Sequence, residues 1–202
     1  MMQPMDKFSN DPVASYFRHS VSTMELAAND EKLHGAIRTI ADLIETIFRS
    51  GGKLMIAGNG GSAGDAQHIA GEFLSRLNFD RAPLPAIALS TDTSVLTAVG
   101  NDYGFEQVFE RQVRGLGKRG DGLLAISTSG KSPNIMAALR AARELGITTM
   151  GFTGSGDRAM NELCDVCLSA PSPETPQIQQ IHITAAHVVC TLVEQSMFGK
   201  RA

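Results

Sequence analysis

The 202-residue chain is predicted to be an α/β protein, a three-layer, doubly wound sheet of five parallel strands behind an N-terminal helical extension. Three observations carry this. Five short apolar runs lack the polar alternation of a half-exposed sheet, so both faces of each strand are expected to be covered. Segments of helical hydrophobic spacing separate consecutive runs, the order that a parallel sheet requires. Residues 10–50, ahead of the first run, contain no strand signal at all.

In that first stretch Leu33, Ile37, Ile40, Ile44 and Ile47 repeat at helical spacing, and a weaker amphipathic helix covers the region from Val13 to Leu26. The pair is longer than a sheet-covering layer needs, and its spare apolar face is expected to pack on another subunit. The strands are placed at 54–57, 86–89, 123–127, 148–152 and 166–169. Helices follow at 62–77, as two short pieces within 92–114, at 132–145, briefly near 158–163, and finally over about 176–198. The Pro-rich segment 171–176 is a loop that stops before the last helix. No linker or low-complexity tract divides the chain, so residues 1–202 are read as one domain, with helices over 1–50 and the α/β core over 51–202.

Composition bounds the function. Hydrophobic residues at 43% and charged residues at 19% are those of an ordinary globular protein. A net charge of −3 without any basic run excludes a general nucleic-acid or membrane-surface binder. The opening residues, MMQPMDKFSNDP, lack the apolar core of a signal peptide. The most apolar helix, near 181–193, is interrupted by His182 and His187, so no membrane span is expected and a cytoplasmic location is. Cys164 and Cys167 form a lone C-x-x-C with neither a second pair nor the strand-to-helix setting of a redox motif. With Cys190 they read as reduced thiols in or near the core.

The chemistry concentrates in residues 54–72, LMIAGNGGSAGDAQHIAGE. A buried strand runs into the turn Gly58-Asn59-Gly60-Gly61, and Ser62 opens a helix. The turn superficially matches a dinucleotide fingerprint, but the acidic residue that such a site wants is misplaced: Asp80 precedes the second strand and Asp92 falls too late. A Walker A loop fails because no Lys-Ser/Thr follows the glycines. A tight turn without ligand is the plainer alternative; a backbone nest at a helix N-terminus, holding an anion or polar sugar atoms, is the functional one. A second loop, Ser127-Thr128-Ser129-Gly130-Lys131-Ser132, also follows a buried strand and opens a helix at Pro133. It imitates the end of a Walker A motif, yet Ala125 stands where that motif needs glycine. Dense hydroxyls and free N–H groups remain, which suit a phosphate monoester. Two such loops at neighbouring strand ends imply a sugar phosphate, with Asn59–Gly61 on hydroxyls and Ser127–Ser132 on the phosphate.

On the first of these helices Asp65, His68 and Glu72 share roughly one face. His68 and Glu72, at i and i+4, suit one metal ion or one acid–base pair. The last helix adds Gln179, His182 and His187 beside an apolar side that needs no buried histidine, although a satisfied core or interface histidine is the bland alternative for each. Gln179 and His187 are eight residues apart, roughly 12 Å along a helix axis, and Gln179 leans away from His187. One ion reaches both only at full stretch or if Gln179 lies in a non-helical first turn; otherwise the two belong to different subunits' sites.

With these residues in hand, the chain resembles the phosphoheptose isomerases, or sedoheptulose 7-phosphate isomerases, of the SIS (sugar isomerase) class. The resemblance rests on GNGGSAGDAQHIAGE (58–72), residues 84–113, GDGLLAISTSGKSPNI (120–135) and IQQIHITAAH (178–187), and covers essentially the whole chain. It implies a flavodoxin-like SIS domain and a homotetramer with interfacial active sites. It implies one zinc ion per subunit at His68, Glu72, Gln179 and His187. It implies substrate contacts from Asn59, Gly60, Gly61, Glu72, Asn101, Asp102, Ser127, Thr128, Ser129, Ser132 and Gln179. The implied reaction converts D-sedoheptulose 7-phosphate to D-glycero-D-manno-heptose 7-phosphate, the first step toward the nucleotide-activated heptose of lipopolysaccharide or capsule. In the family the Glu72 position is the base and the His187 position its acid partner; Asp65 is a further candidate for orienting a histidine or assisting proton transfer. Gln180 departs from the Glu that many members carry there, and is expected to alter hydrogen bonding around the site rather than the reaction.

The rival expectation is a non-catalytic paralogue that binds the replication initiator protein, or a module that senses a sugar phosphate. Such paralogues lose the Glu at the Glu72 position. Here Glu72, His68, Gln179 and His187 are all present, which favours the enzyme.

Overall fold

A computed structural model describes residues 11–156 and 159–199. Two helices come first, α1 (Pro12–Ala28) and α2 (Glu31–Arg49). Aspartates start both: Asp11 accepts the Val13 N–H at 2.9 Å, and Asp30 accepts those of Lys32 and Leu33 at 2.9 and 3.1 Å. Residue 10, the first of the predicted helical stretch, lies outside the described residues, as do nearly all of the N-terminal residues judged for a leader.

The alternating part follows as β1 (Leu54–Gly58), α3 (Gly61–Leu74), β2 (Ala86–Ala88), α4 (Thr93–Asp102), α5 (Glu110–Leu116), β3 (Gly122–Ile126), α6 (Pro133–Glu144), β4 (Thr148–Thr153), β5 (Val166–Ser169) and α7 (Thr175–Phe198). Short 3₁₀ turns at Phe105–Gln107 and Ala159–Leu163 complete the described elements. The expected helix near 158–163 is the second of these turns; residue 158 lies outside the described residues. The strands form one parallel sheet in the order β2-β1-β3-β4-β5. The chain leaves β1 toward one edge and returns to β3 on the other side, so the crevice between the ends of β1 and β3 is the topological switch point where doubly wound folds bind ligands.

Both faces of the central strands β1 and β3 are covered, as their unalternated sequences require, while the edge strand β2 leaves Ile87 exposed. On one side α2, α3 and α7 close a core in which Leu33, Ile37, Ile40, Ile44 and Ile47 are all buried. On the other, α4, α5 and α6 pack over Met55, Ala57, Leu123 and Ala125. The outlier is α1. Val13, Tyr16, Phe17, Val21 and Leu26 are exposed on it, and only Thr23 and Ala27 are buried.

One boundary differs from expectation. The first helix of the α/β part ends at Leu74 rather than near 77. The N–H groups of Leu77 and Asn78, which would have continued it, donate instead to the Glu194 carboxylate at 3.1 and 2.8 Å. A distant side chain on α7 therefore decides where α3 stops.

Candidate active site at the β1–β3 crevice

The turn after β1 reverses sharply at Gly60, whose φ of +55° is a left-handed conformation that suits glycine. Gly61 needs its missing side chain for another reason: a Cβ there would meet the Gln179 amide nitrogen at 2.4 Å. Gln179 thus lies against the glycine turn. The turn after β3 is pinned by its own hydroxyls. Ser127 Oγ lies 3.0 Å from Ser132 Oγ and 3.4 Å from Ser129 Oγ, and it accepts the Gly130 N–H at 3.2 Å. Ser132 is the N-cap of α6 yet caps nothing with its side chain. Its hydroxyl therefore stays in the serine cluster; Pro133 has no N–H, and those of Ile135 and Met136 go to Asn134 Oδ1 and the Ser132 carbonyl, so the first turn of α6 leaves at most the Asn134 N–H open.

The two turns are joined by a residue that the sequence reading missed. Asn59 and Asn134 exchange amide hydrogen bonds, each Nδ2 donating to the other's Oδ1 at 2.9 Å. Asn134 is fully buried and also holds the Ile135 N–H. The sequence signal was an Asn immediately after the proline at a helix start, where a polar side chain has no need to be buried unless it serves a neighbour. Together the turns enclose a pocket of about 290 Å³, lined by Asn59, Gly60, Gly61, Ser62, Ile126, Ser127, Thr128, Ser132, Thr175 and Gln179. Ser62 and Thr175 add hydroxyls that had not been singled out.

A polar cluster is built where α3 meets α7. His68 Nε2 and His187 Nε2 lie 2.9 Å apart, and Glu72 Oε1 is 3.3 Å from His68 Nε2. One ligand atom from each of His68, Glu72 and His187 can be chosen so that all lie within 4.8 Å of one another. Donor atoms around a tetrahedral zinc with bonds near 2.0–2.1 Å stand about 3.3 Å apart, so the three donors fit a metal with small adjustments. Without an ion, the short nitrogen–nitrogen contact requires that one ring donate its Nε2–H and the other accept.

The remaining candidates divide. Gln179 sits within the regular part of α7, so the non-helical first turn that would have brought it toward His187 does not occur. Its amide is at the glycine turn instead. Asp65 has a buried Oδ2 with no hydrogen-bond partner, and burial raises its carboxyl above the usual range against the opposing pull of His68. It makes no hydrogen bond to a histidine. Asn101 and Asp102 end α4, exposed and bonded to each other at 2.8 Å, and do not line the pocket. His182 is a core residue: fully buried, donating Nε2–H to the Thr153 carbonyl at 3.1 Å, and pushed down to about 4 by desolvation. Cys164 and Cys167 are half-buried and free, and Cys190 is buried and free.

Residues 15–154 match the family profile described as the SIS domain. Phosphoheptose isomerase of Burkholderia pseudomallei (strain K96243) is 58% identical over 85% of this chain and 87% of its own length. That of Bradyrhizobium sp. (strain BTAi1) is 55% identical over 96% and 98%. Among solved structures, a phosphoheptose isomerase from Francisella tularensis is similar with a TM-score of 0.87 and 38% identity, covering 92% of this chain and 97% of its own. One from Neisseria gonorrhoeae follows at 0.85 and 40%, covering 91% and 97%. This chain therefore belongs to the phosphoheptose isomerase family of SIS-domain proteins.

Proposed function

We infer that the chain is an aldose–ketose isomerase that converts D-sedoheptulose 7-phosphate to D-glycero-D-manno-heptose 7-phosphate through an enediol(ate). The observation that carries this reading is the convergence of Glu72 and His187 from two helices, beside a crevice lined by two hydroxyl- and N–H-rich turns. Isomerisation moves a proton between C1 and C2; it needs a base near carbon, an acid near the carbonyl oxygen and stabilisation of the oxyanion. Glu72 takes the carbon proton and returns it to the neighbouring carbon. His187 protonates the carbonyl oxygen and withdraws the hydroxyl proton. Ser127, Thr128, Ser129 and Ser132, with the α6 N-terminus, hold the phosphate; Asn59, Gly60, Gly61 and Gln179 hold sugar hydroxyls.

Zinc, one ion per subunit, is supported by the donor set of His68, Glu72 and His187, with Gln179 as the fourth ligand that family membership suggests. When bound, the ion polarises the carbonyl and hydroxyl oxygens of the sugar. Asp65 is assigned a supporting role in proton transfer, and Asn101 and Asp102 a role in substrate contact. Their absence from the pocket lining and the exposed apolar side chains of α1 support a homotetramer in which a neighbouring chain completes each site.

The intact set of His68, Glu72 and His187 favours this enzyme over a non-catalytic paralogue. The test is an isomerase assay on sedoheptulose 7-phosphate with parallel metal analysis. Turnover with about one ion per chain supports the reading; a metal-free, inactive protein that captures the replication initiator overturns it.

A further inference from the structure

Arg81 and Glu194 form an ion pair whose side chains are only 2% and 1% exposed, with Arg81 Nε 3.1 Å from Glu194 Oε1. The remaining donors of Arg81 go to the end of α3. Nη2 donates to the Glu72 carbonyl at 2.7 Å, and Nη1 donates to the Phe73 carbonyl at 2.5 Å and to that of Ala82 at 3.1 Å. The Glu72 and Phe73 carbonyls belong to the last turn of α3, which the helix itself leaves unsatisfied and whose dipole favours a cation, whereas Ala82 lies in the loop that follows. Glu194 stands on α7 seven residues beyond His187, two turns on and therefore on nearly the same face. Its carboxylate also takes the N–H groups of Leu77 and Asn78 and the Asn78 side chain.

The pair thus grips α3 at Glu72 itself and ties it to the face of α7 that carries His187. Simple packing does not need this. Two apolar side chains would fill the space without desolvating two charges, but apolar contacts let helices slide, whereas a guanidinium fork fixes direction and distance. We propose that Arg81 and Glu194 are positioning residues that hold α3 and α7 at the separation at which His68, Glu72 and His187 act as one site.

The proposal rests on the isomerase reading above, and its test separates the two. Arg81→Lys keeps the charge and loses the fork; Glu194→Gln keeps the shape and loses the charge. Lys53→Met is the control. It removes the partly buried pair with Asp121 at the opposite ends of β1 and β3, and so destabilises without touching the site. Cobalt(II) affinity by chelator competition, with its absorption spectrum, is measured beside kcat, KM and the thermal midpoint. The clamp variants are expected to lose about 10- to 100-fold in cobalt affinity and about 10- to 100-fold in kcat, with KM nearly unchanged and an altered cobalt spectrum. Lys53→Met is expected to lower the midpoint and leave the other readouts alone. Clamp variants that behave like Lys53→Met, losing only thermal stability, overturn the proposal. A wild-type chain that neither binds cobalt nor isomerises overturns the functional reading, and the clamp with it. If Glu194→Gln does not fold, the milder Arg81→Lys decides the matter by the same readouts.

Discussion

The Nε2 atoms of His68 and His187 lie 2.9 Å apart although 119 residues separate them in the chain. Two basic nitrogens at that distance share one proton or one metal ion, so neither ring acts alone. Glu72, one turn beyond His68, closes the group.

Substituting Glu72→Gln removes the proposed base while keeping its size. General acid–base catalysis is worth about 10²- to 10⁴-fold, so kcat is expected to fall at least that far. Binding of sugar phosphate, measured by calorimetry, is expected to survive. Near-normal turnover in this variant would remove Glu72 from the mechanism.

Chelation is expected to abolish turnover, and re-addition of zinc to restore it. His68→Ala and His187→Ala are expected to lower bound metal below about 0.1 ion per chain in dialysed protein, because a site with one ligand missing binds orders of magnitude more weakly. Elemental analysis checks this; full metal content in both variants would place the ion elsewhere.

The serine cluster gives a different signature. Ser132→Ala removes a hydroxyl of the proposed phosphate site, and hydrogen bonds to charged groups are worth about 1.5–3 kcal/mol. KM is expected to rise roughly 10- to 100-fold with kcat little changed. Asn134→Leu, at a buried position that does not line the pocket, is expected to raise KM as well, since it frees Asn59 from its reciprocal amide pair. An unchanged KM in both would argue against the crevice as the phosphate site.

Gly61→Ala tests Gln179. A Cβ at that position meets the Gln179 amide at 2.4 Å, and a flexible side chain yields before backbone does. The amide is expected to move away from the turn and kcat/KM to fall about tenfold, the scale of one lost neutral hydrogen bond, while the thermal midpoint shifts little. Comparison with Gln179→Ala checks the assignment, because the two substitutions should not add.

The core histidine sets an acid limit on stability. His182 is depressed to about 4 in the fold, against about 6.5 in an unfolded chain. Above pH 6.5 both states are neutral there and the residue adds no pH dependence. As pH falls from 6.5 toward 4 the unfolded state takes up the proton first, and up to about 3 kcal/mol of stability is lost. His182→Asn, which can still donate to the Thr153 carbonyl, is expected to flatten this slope in denaturation measured between pH 7 and 4.

The architecture was present in the sequence because its signals are local. Unalternated apolar runs, helical spacing and glycine turns place all five strands within a residue or two, and a doubly wound sheet then sends the loops after β1 and β3 to the switch point. Residue types at short spacing also marked His68, Glu72 and the serine turn, since i, i+4 geometry and helix N-termini are properties of a single segment. What only the tertiary structure decided concerns pairs far apart in the chain. Asn134 reads as an ordinary first-turn residue until Asn59 is opposite it. Arg81 and Glu194 read as surface charges until burial joins them and ends α3 early. His182 and His187, five residues apart on one helix, divide into a core residue and a site residue because the face each occupies depends on what α7 packs against. Periodicity along a segment determines which elements form; the packing of elements against one another determines which of their side chains meet.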